Sequence, residues 1–140
     1  MSGADRLGTK PNEKLDIWLW AAQFGLAAIF AAYAAKAFVD IPTLSRYINW
    51  ADEVPVWIVR FTGISEGLAA IGLVVPAATR ILPVLTPLAA AGMVATQLSA
   101  LLFHILRGEF IVVPGNLVLL GLCVFVLWGR WKVVPIAGRF

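Results

Sequence analysis

Among the polar or ionisable residues that lie within or at the ends of long apolar stretches of this sequence, six stand out. They are Lys36, Arg60, Glu66, Gln97, His104 and Asn116. A charge at the centre of a bilayer costs at least about 2.5–3.5 kcal/mol, so such a residue usually faces the protein interior and has a partner or a ligand there. Carboxyl, imidazole and amino groups in one place can transfer protons or orient a polar head group. We therefore take these six residues as candidates for a ligand or proton site.

Glu66 is the most informative of the six because two glycines flank it in the stretch FTGISEGLAAIGLVVP. Gly63 and Gly67 form a GxxxG pair, and Ala70 continues the same ridge at helical spacing. Small residues at this spacing let two membrane helices approach closely. The Glu66 side chain projects within about 60° of the ridge, so helix packing there should enclose the carboxylate. Its candidate partners are Lys36, Arg60 and His104.

The other candidates leave several interpretations open. Gln97, Ala100 and His104 share one helical face, which predicts that this face points inward. Arg60 points about 120° away from Glu66 and could instead extend to the membrane surface. Glu66 and His104 fit either a purely structural pair or a functional site for protons, a quinone or another ligand.

Metal and nucleotide chemistry find little support in the sequence. The chain has one histidine and one cysteine, so a single chain cannot form a disulfide, a thiolate metal site or a bis-histidine haem site. No phosphate-binding glycine loop and no G-x-S-x-G motif is present. We expect no metal site and no cofactor within the chain itself, although a bound quinone or lipid is compatible with it.

The elements that position these residues follow from hydropathy. Hydrophobic residues make up 61% of the 140 residues and charged residues 14%, with a mean hydropathy of +0.87. Soluble domains are about half apolar and about a quarter charged, so the composition predicts an integral membrane protein. Four apolar stretches are long enough to cross a bilayer as helices. They cover residues 17–39, 56–75, 81–106 and 111–128, with tails at 1–16 and 129–140. This predicts an all-α four-helix bundle, with Pro76 ending the second span.

The basic residues outside the spans predict the topology. Seven of them lie in the two tails and in the loop after the second span, and only Arg46 and Arg107 lie on the opposite side. By the positive-inside rule, both termini are cytoplasmic. The net charge of +3 is explained by these span ends, so we expect no nucleic acid partner. All six candidates then lie in the outer half of the membrane, and the inner half holds little beyond Gln23 and Thr86.

The sequence resembles the DoxX-like family, which comprises small four-helix bacterial inner-membrane proteins. The resemblance covers roughly residues 20–130. It rests on Lys36, on Gly63-x-x-Glu66, and on the segments LTPLAAAGMVATQLSALLFH, RGEF and WGRW. It implies that Glu66 and His104 correspond to the family's glutamate and histidine.

The family's name comes from a subunit associated with a quinone-linked thiosulfate oxidoreductase, and other relatives are linked to oxidative-stress complexes. A wider kinship joins it to four-helix proteins that act as sterol isomerases, ligand receptors or receptor-assembly chaperones. From residues and resemblance together we expect an accessory subunit of a membrane redox or respiratory assembly, with a polar pocket in its outer half. Its partners would be the bilayer and either another membrane protein or further copies of itself. The alternatives are a non-redox binding or assembly protein and an isomerase that uses Glu66 and His104.

Overall fold

The computed structural model describes residues 12–140, which form helices and connecting turns. Helix α1 spans Glu13–Tyr33 and continues as a 3₁₀ turn, Ala34–Ala37. A short helix α2 (Ile41–Leu44) follows, then α3 (Val56–Thr79), α4 (Leu85–Leu106) and α5 (Val113–Trp128). One π-helical turn, Gly129–Val133, extends α5. The described part of the chain contains no strand, which confirms the all-α prediction.

The outer surface of the bundle is apolar. Large side chains on all four long helices point away from the core and keep one third to two thirds of their surface exposed, including Ile29, Leu68, Leu102 and Val118. In water such a surface would drive association, whereas in lipid it is the expected exterior. Each long helix, with its extension where it has one, is also long and apolar enough to cross a membrane. The chain is therefore a multi-pass membrane protein.

The four long helices run up and down in the order α1, α3, α4, α5 around the bundle, and each packs against the next. Helix α5 also contacts α1, which closes the bundle. The core contains small and large apolar side chains from each of the four long helices, among them Leu26, Phe30, Leu73, Met93 and Cys123. We call the end at which α1 begins and α5 ends the termini end, and the opposite end, with α2 and residues 107–112, the loop end.

The segment between α1 and α3 folds over the loop end. Leu44, Ala51 and Val59 form a small second core there. The Asp40 carboxylate caps α2 by accepting a hydrogen bond from the Thr43 backbone N–H at 3.0 Å. This bond holds the pKa of the Asp40 carboxyl below its usual value.

The prediction that Pro76 ends the second span is wrong. Helix α3 continues through it to Thr79, and Arg80 stops the helix by adopting a left-handed conformation with φ of 60°. Because proline has no N–H, the carbonyl of Gly72 lacks its usual helical donor. The Thr86 hydroxyl of α4 donates to that carbonyl at 3.1 Å and takes the place of the missing bond.

Gln23 of α1 donates a hydrogen bond to the carbonyl of the next residue along α3. Its Nε2 donates to Leu73 O at 2.6 Å. Both donors are fully buried, so the two polar residues predicted for this half of the bundle have a defined structural role. The remaining span boundaries differ from the predicted ones by a few residues, since α1 begins at Glu13, α4 at Leu85 and α5 at Val113.

Candidate functional site

Lys36 and Glu66 form a buried ion pair between α1 and α3. Glu66 lies on α3, and Lys36 lies in the 3₁₀ turn that ends the first span. Lys36 Nζ donates a hydrogen bond to Glu66 Oε1 at 3.0 Å and lies 2.7 Å from Oε2. The residues are only 7% and 4% exposed. The contact predicted between Glu66 and Lys36 is therefore present.

One oxygen of this carboxylate keeps its hydrogen-bonding capacity. Glu66 Oε2 lies 2.7 Å from the Lys36 ammonium, and no other group among residues 12–140 donates a hydrogen bond to it. A carboxylate oxygen can accept two hydrogen bonds, so a buried one without a further donor is unusual. The pair can therefore accept a further donor from a ligand at Oε2.

Two aromatic rings border the ammonium group. Lys36 Nζ lies 5.5 Å from the Tyr33 ring centroid and 5.6 Å from the Trp50 ring centroid. These distances are within the range of cation–π attraction. The rings thus provide flat apolar surfaces next to a charged group.

Gly63 lets the turn that carries Lys36 lie against α3. A Cβ atom at position 63 would overlap the backbone nitrogen of Ala37 and would lie 2.8 Å from the Lys36 carbonyl carbon. A Cβ at Gly67 would lie 3.3 Å from Ala34 Cβ, which is a tight but milder contact. Ala70 packs at the edge of the main core. Whether this ridge determines stability is tested by a substitution below.

Arg60 does not contact Glu66. Its Nη1 donates to the carbonyl oxygens of Lys36 at 2.9 Å and Val39 at 2.6 Å. These carbonyls lie at the end of the first span, where no further turn of helix provides backbone N–H groups to bind them. Arg60 therefore holds the backbone of Lys36 in place from α3.

The other candidates form two further groups. Asn116 Nδ2 of α5 donates to Gln97 Oε1 of α4 at 3.1 Å. His104 lies at the loop end, where its Nδ1 is 2.6 Å from Glu109 Oε2. Since an ionised carboxylate can only accept, Nδ1 carries the proton and donates it. His104 thus pairs with Glu109, whereas Glu66 pairs with Lys36.

Arg107 completes the group around His104. It donates to Glu109 Oε1 at 2.9 Å and to Glu53 Oε2 at 2.5 Å. The hydrogen bond from His104, followed by that from Arg107, holds the pKa of the Glu109 carboxyl below its usual value. The bonds to Glu53 and Glu109 raise the pKa of the Arg107 guanidinium. This network joins α4 to the long loop before α3.

Arg130 is one of the basic residues of the carboxyl tail on which the predicted topology rests, and it is buried. Residue 130 is only 3% exposed, because the π-helical turn after α5 directs it into the bundle. Its Nε donates to Gln23 Oε1 at 2.6 Å, and its Nη1 to Asp16 Oδ1 at 2.5 Å. Asp16 and Gln23 are seven residues apart and therefore on one face of α1, a signal that could have predicted a buried basic partner.

Two cavities lie at the termini end, with volumes of about 430 and 350 Å³. Arg80, Arg130 and Trp131 line the larger one, and Trp131 also borders the smaller one. Neither cavity includes any of the six candidate residues. Residues 12–140 also contain no cluster of three His, Cys, Asp or Glu side chains that could hold a metal ion.

Comparison with known families gives a clear result. The family model described as the DoxX-like family matches residues 21–126. The chain belongs to the DoxX-like family. The DoxX-like match includes Lys36, Glu66 and His104 and ends before Arg130. No curated protein and no solved structure shows significant similarity to the chain.

Proposed function

We propose that this DoxX-like protein is an accessory subunit of a redox or respiratory assembly in the bacterial inner membrane. In this proposal the Lys36–Glu66 pair binds the polar head of a quinone-like ligand. The observation that carries it is the buried carboxylate whose Oε2 lies against the Lys36 ammonium and has no other donor among residues 12–140. Intramembrane ionisable groups are usually functional, and here one of them has capacity left for a ligand.

The chemistry of the pair suits a quinone in both of its redox states. A quinone presents carbonyl oxygens, which the Lys36 ammonium can donate to. The reduced form presents hydroxyl groups, which can donate to Glu66 Oε2. The Tyr33 and Trp50 rings near Lys36 Nζ offer surfaces against which a flat ring can pack.

Electron transfer would belong to a partner protein. A single chain with one histidine and one cysteine offers too few ligands for a bis-histidine haem or a cysteine-bound iron–sulfur cluster. This favours an accessory role over an independent oxidoreductase. The isomerase alternative required Glu66 and His104 to act together as acid and base, and their separate partners give it no support.

The test is to purify the protein in mild detergent and to identify bound proteins and small molecules by mass spectrometry. We expect quinone to be retained by the wild type and lost from Glu66→Gln when both proteins are compared below the melting temperature of the variant. That temperature should itself fall, because glutamine can accept a hydrogen bond from Lys36 but leaves its buried charge uncompensated. Asp52→Asn is the matched control, since Asp52 is exposed in the loop before α3. His104→Gln should also retain the quinone.

Two outcomes would contradict the proposal. One is a Glu66→Gln protein that retains as much quinone as the wild type. The other is a wild-type protein that co-purifies with one membrane partner and no quinone, which would favour the non-redox assembly role.

A further inference from the structure

The two cavities at the termini end lie far along the bundle from the proposed quinone site. Basic and apolar side chains line them, whereas the quinone site contains a carboxylate. We propose that they bind an anionic phospholipid, with its phosphate at Arg130 and Arg80 and an acyl chain in the adjoining groove. This inference does not depend on the Lys36–Glu66 pair.

Arg130 is the central residue of the proposed site. Its Nε and Nη1 are occupied by Gln23, Asp16 and the carbonyl oxygen of Val134. Its Nη2 is buried and has no acceptor among residues 12–140. The guanidinium also lies 5.2 Å from the Trp20 ring centroid, which fixes its plane. The guanidinium is thus held on two sides, and its third nitrogen keeps N–H groups that an anion could accept from.

Arg80 stands on another wall of the same cavity. Its Nε donates to Ala137 O at 3.0 Å, and its own carbonyl accepts from the Arg139 backbone N–H at 2.8 Å. These bonds hold the loop between α3 and α4 against the carboxyl tail. In this cavity of about 430 Å³, Arg80 provides positive charge. Arg130, whose charge Asp16 balances, provides the unpaired Nη2 as a hydrogen-bond donor, so together they meet the charge and hydrogen-bonding needs of a phosphate group.

The rest of the cavity indicates an amphipathic ligand rather than a free ion. Apolar residues such as Leu82, Val84 and Ile136 form most of its wall. Trp131 separates it from the second groove, of about 350 Å³, which is lined mainly by Leu88, Ala91, Leu127 and Trp128 of α4 and α5. A phospholipid has a phosphate group joined to acyl chains. It can therefore place its phosphate at the arginines and an acyl chain in the apolar groove on the surface of α4 and α5.

Lys132 borders the smaller groove and is a further basic residue at the termini end. Only Glu13 and Asp16 are acidic among the described residues at this end, whereas Lys14, Arg80, Arg130, Lys132 and Arg139 are basic. This excess of basic charge favours an anionic lipid over a zwitterionic one.

The experiment uses the full chain in detergent micelles with equal amounts of phosphatidylglycerol, phosphatidylcholine with the same acyl chains, or inorganic phosphate. Melting temperature and native mass spectrometry report binding. We expect phosphatidylglycerol to raise the melting temperature and to remain bound, and phosphatidylcholine and phosphate to do neither. Arg80→Gln should weaken phosphatidylglycerol binding about fivefold, the effect of one basic residue near an anionic lipid. Arg46→Gln, an exposed arginine at the loop end, is the control and should bind as the wild type does.

Arg130→Gln should weaken binding more than Arg80→Gln does. If Arg130→Gln does not fold, two comparisons still test the proposal. They are Arg80→Gln against Arg46→Gln, and phosphatidylglycerol against phosphatidylcholine. Equal binding of phosphatidylglycerol and phosphatidylcholine would overturn the proposal. Stabilisation by phosphate alone, or equal losses in Arg80→Gln and Arg46→Gln, would overturn it as well.

Discussion

Lys36 and Glu66 compensate each other's charge inside the membrane, and each is buried because the other is present. Removing one partner of a buried pair leaves an uncompensated charge, whereas replacing both with apolar residues of similar size can be nearly neutral. The pair's effect on stability is therefore best measured by changing the two residues separately and together.

We expect Lys36→Met to lower the free energy of unfolding by about 3–5 kcal/mol, because it leaves the Glu66 carboxylate buried alone. The double variant Lys36→Met/Glu66→Leu should recover most of this loss while losing any bound quinone. Unfolding experiments in detergent would measure the free energy of unfolding of both variants. A double variant that is as unstable as the sum of its single variants would show that the two charges act independently.

The Glu109 network predicts a pH dependence at the loop end. Because hydrogen bonds from His104 and Arg107 depress the pKa of the Glu109 carboxyl, its contribution to stability is complete above the ordinary value of 4.5. The contribution is lost as the pH falls through the lower pKa of the folded protein. We expect the melting temperature of the wild type to fall more steeply below that value than that of Glu109→Gln. Parallel curves for the two proteins would contradict this, and Asp52→Asn serves as the control.

Single residues differed in how well the sequence predicted their placement. The partner of Glu66 could be narrowed to three residues because an intramembrane acid needs a cation and few were available. Arg130 was misplaced because a basic residue just after a span is normally an exposed topology signal, and its burial depends on a π-helical turn that no local pattern indicated. The hydrogen bond between His104 and Glu109 depended on the path of the loop between α4 and α5, which hydropathy does not specify.

At the scale of helices, the closest approach lies between α3 and the turn that ends the first span. Gly63→Ala should lower stability by about 1–3 kcal/mol, because its Cβ would overlap the backbone of that turn. Gly67→Ala should cost less, since its nearest contact is a methyl group. Melting temperatures in one detergent would measure both. Gly92→Ala is the matched control because a Cβ there has no atom within 4 Å, and an equal loss in Gly92→Ala would contradict the prediction.

Pro76 and Thr86 act as one unit across α3 and α4. Thr86→Val removes the side-chain donor to the Gly72 carbonyl and should lower stability by about 1 kcal/mol. Pro76→Ala returns a backbone N–H to that carbonyl, so Thr86→Val should cost less in a Pro76→Ala protein. A double-mutant cycle measures the coupling. An equal cost in both backgrounds would mean that the hydroxyl does not replace the helical bond.

Helix positions were predictable from hydropathy because each span must be apolar over the thickness of the bilayer. The residues at which the helices begin and end were less predictable. The proline rule predicted that α3 stops at Pro76, but the Thr86 side chain of α4 provides the donor that the Gly72 carbonyl lacks. Such compensation is a tertiary effect, and only the packed bundle shows it.

At the scale of the whole molecule, the start of α1 lies at the same end of the bundle as the end of α5, and the side of the membrane on which that end lies remains a prediction. Arg130 is buried against Asp16, so six basic residues rather than seven remain to set the orientation, against two on the opposite side. We therefore still expect the termini in the cytoplasm.

Single cysteines at Ser2 and Ser45, in a Cys123→Ala background, test the topology with a membrane-impermeant thiol reagent. Ser45 should react in intact cells and Ser2 only after the membrane is opened. The opposite pattern would reverse the orientation. Cys123 itself is buried in the core, so its replacement should not change the pattern of labelling.

The hydrogen bond from Thr86 to the Gly72 carbonyl also has a consequence for how the chain enters the membrane during translation. Helix α1, with Gln23, leaves the ribosome before α3, whereas α4, with Thr86, leaves it afterwards. When α3 first reaches the lipid, its Gly72 carbonyl lacks a helical donor and the Thr86 hydroxyl has not yet arrived. A polar backbone group in hydrocarbon is unfavourable, so α3 should remain beside the insertion machinery until α4 emerges. The second and third spans of the nascent chain would then move into the bilayer together, as one helical hairpin joined by residues 80–84.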